Sequence, residues 1–133
     1  RSTMEQTTNE MPLVLVAEDD ESNFKLIRAI IGKRCRLEWG RTGEELLHLY
    51  QQHKKEALMI LMDIKMPIMT GLEATAKLRA DGCKLPIVVQ TAYAFSSDRD
   101  KALEAGANNV LVKPITLTEL RKLVKHYIPS IEW

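Results

Sequence analysis

The chain has 133 residues, 45% of them apolar and 28% charged, with 19 Lys and Arg against 18 Asp and Glu. That length suits one domain, and that apolar share can fill its core, which excludes a disordered chain. A net charge of +1 argues against the basic stripe of a nucleic-acid binder, and no apolar run approaches the roughly 18 residues of a membrane span.

Arg1 to Glu10 are polar and lack the apolar stretch of a signal peptide, so residues 1–11 read as a tail. Leu13 to Ala17 form a continuous apolar run after Pro12, a buried strand. Phe24, Ile27 and Ile31 then recur at the spacing of an amphipathic helix. Cys35 to Trp39 alternate loosely, as an edge strand does. Glu44 to Gln52 carry Leu46, Leu47, Leu49 and Tyr50, one broad apolar helix face.

Ala57 to Met62 are the longest apolar run. It is too short for a buried helix and suits a central strand covered on both faces. Pro67 and Gly71 bracket a loop. Leu72 to Ala80 read as a helix stopped by Asp81-Gly82. Pro86 to Val89 make a strand with proline at its start. Ser97 and Asp100 have capping-box spacing for a helix that ends at Gly106. Val110 to Val112 make a last strand. Leu117, Leu120 and Val124 mark a last helix stopped by Pro129.

Strand and helix alternate five times, which predicts a doubly wound parallel α/β sheet with helices on both faces. The domain should span residues 12–128, with 129–133 as a tail. Cys35 and Cys83 have no metal-ligand spacing and read as free thiols. His48, His53 and His126 read as surface residues. Arg121, Lys122 and Lys125 read as a solvated helix face.

In such sheets ligands bind beyond the carboxyl ends of the strands. There the sequence places Glu18-Asp19-Asp20-Glu21, Asp63, Thr91-Ala92 and Lys113-Pro114. Crowded carboxylates repel one another unless a cation neutralises them. All-oxygen ligands with room for water and phosphate suit Mg²⁺. A lysine opposite them suits a phosphoryl oxygen. These are parts for phosphoryl transfer. Asp20 alone also fits a helix N-cap.

In this order and at these strand ends, Asp19-Asp20, the run Met62-Asp63-Ile64-Lys65-Met66-Pro67-Ile68-Met69-Thr70-Gly71, Thr91-Ala92 and Lys113-Pro114 resemble the receiver domains of two-component response regulators. Met66-Pro67-x-Met69-x-Gly71 and Ala105-Gly106-Ala107 look most like receivers of hybrid sensor histidine kinases. The resemblance implies a flavodoxin-like five-stranded sheet of order 2-1-3-4-5. It implies that Asp63 takes a phosphoryl group from a phosphohistidine. Asp19, Asp20, Asp63 and the Lys65 backbone carbonyl would then hold Mg²⁺.

By the same resemblance, Lys113 pairs with the phosphoryl group beside a cis Lys113-Pro114 bond. Thr91 is the switch hydroxyl, and the Ala92 amide helps bind the phosphoryl oxygens. Relatives commonly carry an aromatic residue where this chain has Val110, so the aromatic part of the switch is not expected. Tyr93 is expected to shield the acyl phosphate. The implied partner is a histidine kinase or histidine phosphotransfer domain, with no nucleic acid and no direct membrane contact. The implied setting is the cytoplasm, as the C-terminal receiver of a longer hybrid kinase. A stand-alone regulator is the alternative. A Mg²⁺-dependent phosphatase with an aspartyl nucleophile fits poorly, because those enzymes carry Asp-x-Asp after the first strand.

Overall fold

Five of the apolar runs become the strands of one sheet: β1 (Leu13–Ala17), β2 (Arg36–Gly40), β3 (Ala57–Asp63), β4 (Ile87–Thr91) and β5 (Asn109–Val112). The structure, a computed structural model, describes residues 11–93 and 96–133. All four pairings are parallel and the order is β2-β1-β3-β4-β5. The helices are α1 (Glu21–Ile31), α2 (Gly43–His53), α3 (Gly71–Ala80), α4 (Ser96–Ala105) and α5 (Leu117–Tyr127). Among the described residues no helix is long and apolar enough to cross a membrane.

Four helices start where a side-chain oxygen takes up a free backbone N–H. Asp20, Thr42, Thr70 and Thr116 cap α1, α2, α3 and α5 in this way, each worth about 1 kcal/mol. At α3 the cap is a full capping box between Thr70 and Glu73. The strand period divides the core in two. Leu13, Leu15, Ile60, Met62, Ile87 and Val89 meet α2, α3 and α4. Val14, Val16, Met59, Leu61, Val88 and Leu111 meet α1 and α5. Both faces are covered over β1, β3 and β4, which is why those strands read as continuous apolar runs, while β2 at the edge is half-buried.

The structure corrects several expectations. The register of β1 against β3 shifts between Leu13 and Val14, and Leu58 is left unpaired there, 45% exposed. β3 is therefore not covered along its whole run. Helix α4 begins at Ser96, so Ser97 lies in its first turn rather than before it. Leu117 is 48% exposed, and the buried stripe of α5 runs through Leu120 and Val124 on to Ile128 instead.

Residues beyond α5 fold back rather than trail away. Ile131 is buried in the α1–α5 core. The Lys125 ammonium donates to the carbonyls of Pro129 and Ile131 at 2.8 and 2.7 Å. The Trp133 indole donates to the Arg121 carbonyl at 3.0 Å, with the Arg121 guanidinium over its ring. Two of the three cations assigned to a solvated face thus hold this segment. Both cysteines are free and buried, and burial pushes the Cys35 thiol up to about 11.

Candidate phosphoryl-transfer site

Alternation along the strands builds the site. Val14 and Val16 face α1 and α5, as do Met59 and Leu61. The next side chains in each alternation are Glu18 and Asp63, so both carboxylates project to that face at the carboxyl edge. Glu18 is fully buried, Asp63 nearly so, and Asp19 is exposed. One carboxylate oxygen from each of Glu18, Asp19 and Asp63 lies within 4.8 Å of the others. Lys113, beyond β5, points its ammonium at Asp63 Oδ1 (3.2 Å) and Glu18 Oε1 (3.6 Å). The Lys113-Pro114 bond is cis.

The crowding shows in the acid strengths. Burial, and then the Asp63 carboxylate alongside, push Glu18 up to about 7. The same two causes raise Asp19 from its ordinary value. One ammonium faces three acidic groups, so the cluster favours a hard cation with all-oxygen ligands. The residues present fit Mg²⁺.

Other side chains hold this arrangement. The Trp39 indole donates to the Glu18 carbonyl at 2.7 Å and stacks on Phe24 of α1. The Asn23 amide donates to Glu18 Oε1 and, at 3.1 Å, to Gln90 Oε1 on β4. Gln90 Nε2 has no partner, the one such buried side-chain atom among the described residues.

A cleft of about 220 Å³ opens beside Asp63, walled by Lys65, Gln90, Thr91, Ala92, Tyr93 and Lys113 among others. Thr91 is buried, and its hydroxyl accepts from the Tyr93 amide at 3.1 Å. The Lys65 ammonium sits 5.5 Å from the centre of the Tyr93 ring. The loop below the cleft is tight. The Gly71 amide donates to the Ile64 carbonyl at 2.8 Å. A Cβ on Gly71 would lie 2.0 Å from the Asp63 carbonyl oxygen, so only glycine fits. Ile68 has φ +73°, and the Met69 amide donates back to the Pro67 carbonyl at 2.7 Å. That three-residue turn is strained for a β-branched residue.

Of the expected site residues, Asp19 and Asp63 join the cluster, Lys113 faces it, and Lys65, Thr91 and Ala92 line the cleft. Asp20 does not join them. Its side chain caps α1, with Oδ1 accepting from the Ser22 amide at 2.9 Å. The acidic pair brought to Asp63 is Glu18–Asp19, one residue earlier than the expected Asp19–Asp20. β1 ends at Ala17, and the two-residue period from Val14 through Val16 to Glu18 was the available signal. Val110 packs partly buried against the α2–α3–α4 core.

The response regulator receiver domain family matches residues 14–125. Hybrid signal transduction histidine kinase I of Dictyostelium discoideum is 37% identical over 123 residues, a match covering 86% of this chain and 7% of that protein. The chain thus spans only a small part of that relative. The polar-differentiation response regulator DivK of Brucella anthropi is 34% identical over 119 residues, covering 86% of this chain and 94% of that one. The receiver domain of the sensor histidine kinase PA1611 of Pseudomonas aeruginosa, solved with a magnesium ion in its active-site cleft, superposes with a TM-score of 0.76. It is 29% identical, with 90% of this chain and 98% of that one covered. Strand order, family match and these relatives agree, and the chain belongs to the response regulator receiver domain family.

Proposed function

We propose that Asp63 is the phosphoacceptor, taking a phosphoryl group from the phosphohistidine of a histidine kinase or histidine phosphotransfer domain. The observation that carries this reading is the Lys113 ammonium 3.2 Å from Asp63 Oδ1 at the mouth of the cleft. A free Asp63 oxygen attacks phosphorus as the P–N bond to imidazole breaks. The imidazole leaves with the bonding pair and picks up a proton. Carboxylate nucleophiles of this kind give acyl phosphates.

Glu18, Asp19, Asp63 and the Lys65 carbonyl are the groups that would hold Mg²⁺, the pair Glu18–Asp19 standing for the expected Asp19–Asp20. The cation supplies neutralisation of charge on the transferring phosphoryl group. Lys113 turns from Asp63 to a phosphoryl oxygen, and the Ala92 amide offers a further donor. The product adds roughly −1.5 to −2 charges to the cleft. The Thr91 hydroxyl, now an acceptor for Tyr93, rotates to donate to that charge. The result is a population shift between two surfaces.

The hybrid-kinase relative supports a parent chain that carries its own kinase. The near-full coverage of DivK supports a stand-alone regulator as the second reading. The test is transfer from a phosphorylated histidine phosphotransfer domain with and without Mg²⁺. Label should move to the wild-type chain only with Mg²⁺ and never to Asp63→Asn. Label on Asp63→Asn would overturn the assignment.

A further inference from the structure

We propose that Asn23 and Gln90 form a positioning pair that holds Glu18 in the cation cluster and ties it to β4 one residue before Thr91. The inference rests on the reading of Glu18, Asp19 and Asp63 as the Mg²⁺ site. Glu18 is the fully buried member of that cluster, so nothing from solvent orients it. Its backbone is held by the Trp39 indole. Its side chain is met by the Asp20 amide at 3.3 Å on Oε2, by Lys113 at 3.6 Å on Oε1, and by Asn23 on Oε1, whose amide nitrogen alone also reaches Gln90, across 67 residues of sequence.

The orientation of these amides follows from Glu18. A carboxylate only accepts, so the Asn23 group facing it is the NH₂. The same NH₂ faces Gln90, so Gln90 must present its oxygen there. Its own NH₂ is then turned away and left without a partner. A buried donor left unpaired is costly. A leucine of similar size would avoid that cost, because Gln90 is fully buried on its strand, paired with Leu111 on one side and Asp63 on the other. Gln90 is therefore poorly explained as core packing and well explained as the acceptor that anchors Asn23. Outer-shell partners of metal ligands characteristically set affinity in this way.

The experiment titrates MgCl₂ into the full chain at constant ionic strength, read by Trp39 fluorescence in a Trp133→Phe background and by thermal unfolding. Asn23→Leu should weaken Mg²⁺ binding about tenfold and Gln90→Leu about threefold. Gln90→Leu should unfold at the same temperature as its parent or higher, since its unpaired donor is gone. The double variant should bind no worse than Asn23→Leu alone, because both changes break one connection. Variants that bind within twofold of the parent overturn the pair. So do additive losses, or affinity losses that merely follow lost stability. A parent chain that binds no Mg²⁺ in either readout overturns the cation site itself, and the pair with it.

Discussion

The two edges of the sheet are built on opposite terms. At the amino edge of β4, Arg79 of α3 closes the structure. Its guanidinium donates to the carbonyls of Gly106, Cys83 and Leu85 at 2.9, 2.9 and 2.8 Å, and to Asn108 Oδ1 at 2.7 Å. The same Asn108 oxygen accepts from the first amide of β4. At the carboxyl edge, three acidic groups face one ammonium, an amide is left unpaired, and Ile68 turns through positive φ. One edge has its polar groups matched and stabilises the fold. The other holds unmatched charge that a cation and a phosphoryl group can satisfy. Strain of this kind persists only where the rest of the structure over-determines it.

If the edges are separate in this way, damage at one should leave the other working. The largest effect is expected from Arg79→Ala, which strands several acceptors at once and should cost about 3 kcal/mol in urea unfolding. Mg²⁺ affinity of the folded fraction should stay within twofold of wild type. An equal loss of affinity would break the separation. Gly71→Ala is the opposite probe. Its methyl would collide with the Asp63 carbonyl, costing about 2 kcal/mol, and here phosphorylation should fall with stability because Asp63 itself moves.

The third effect is a pH dependence. Glu18 sits at about 7 in the fold against an ordinary 4.5. Between those values the native state binds more protons than the unfolded chain, so stability falls as pH rises through that window. Metal-free protein should lose about 2 kcal/mol between pH 5 and pH 8 by this route. Glu18→Gln should flatten the slope and raise stability at pH 8, as should saturating MgCl₂ in the wild type. A slope unchanged in Glu18→Gln would remove Glu18 from the account. The smallest effect is expected at the rim. Tyr93→Ala removes one exposed ring under Lys65, worth about 0.7 kcal/mol. It should shorten the acyl-phosphate lifetime roughly threefold and lower stability by no more than that contact. An unchanged lifetime would show that Tyr93 does not shield the group.

How much of this was legible in the sequence depended on the range of the interaction. Strand runs, helical stripes and strand-end residues are local, and they lead to a doubly wound parallel sheet with Asp63, Thr91 and Lys113 at strand ends, whereas the order β2-β1-β3-β4-β5 follows from the family resemblance. Adjacent carboxylates look alike until the strand end is known, so the sequence alone points to Asp19–Asp20 where the structure brings Glu18–Asp19 to Asp63. With β1 ending at Ala17, Glu18 points in and Asp20 becomes a cap. Asn23–Gln90, Trp39–Glu18 and the Arg79 clasp join residues far apart in the chain, and no local pattern announces them. The segment after Pro129 looked like a tail because its one buried residue, Ile131, has no periodic neighbours.

The most direct test of the central claim is the intact mass of the chain after incubation with a small-molecule acyl phosphate and MgCl₂. The wild-type chain should gain one phosphoryl group, absent in Asp63→Asn and absent with a chelator. A gain that survives in Asp63→Asn would contradict it, as would no gain in folded, Mg²⁺-bound protein that also refuses a phosphohistidine donor.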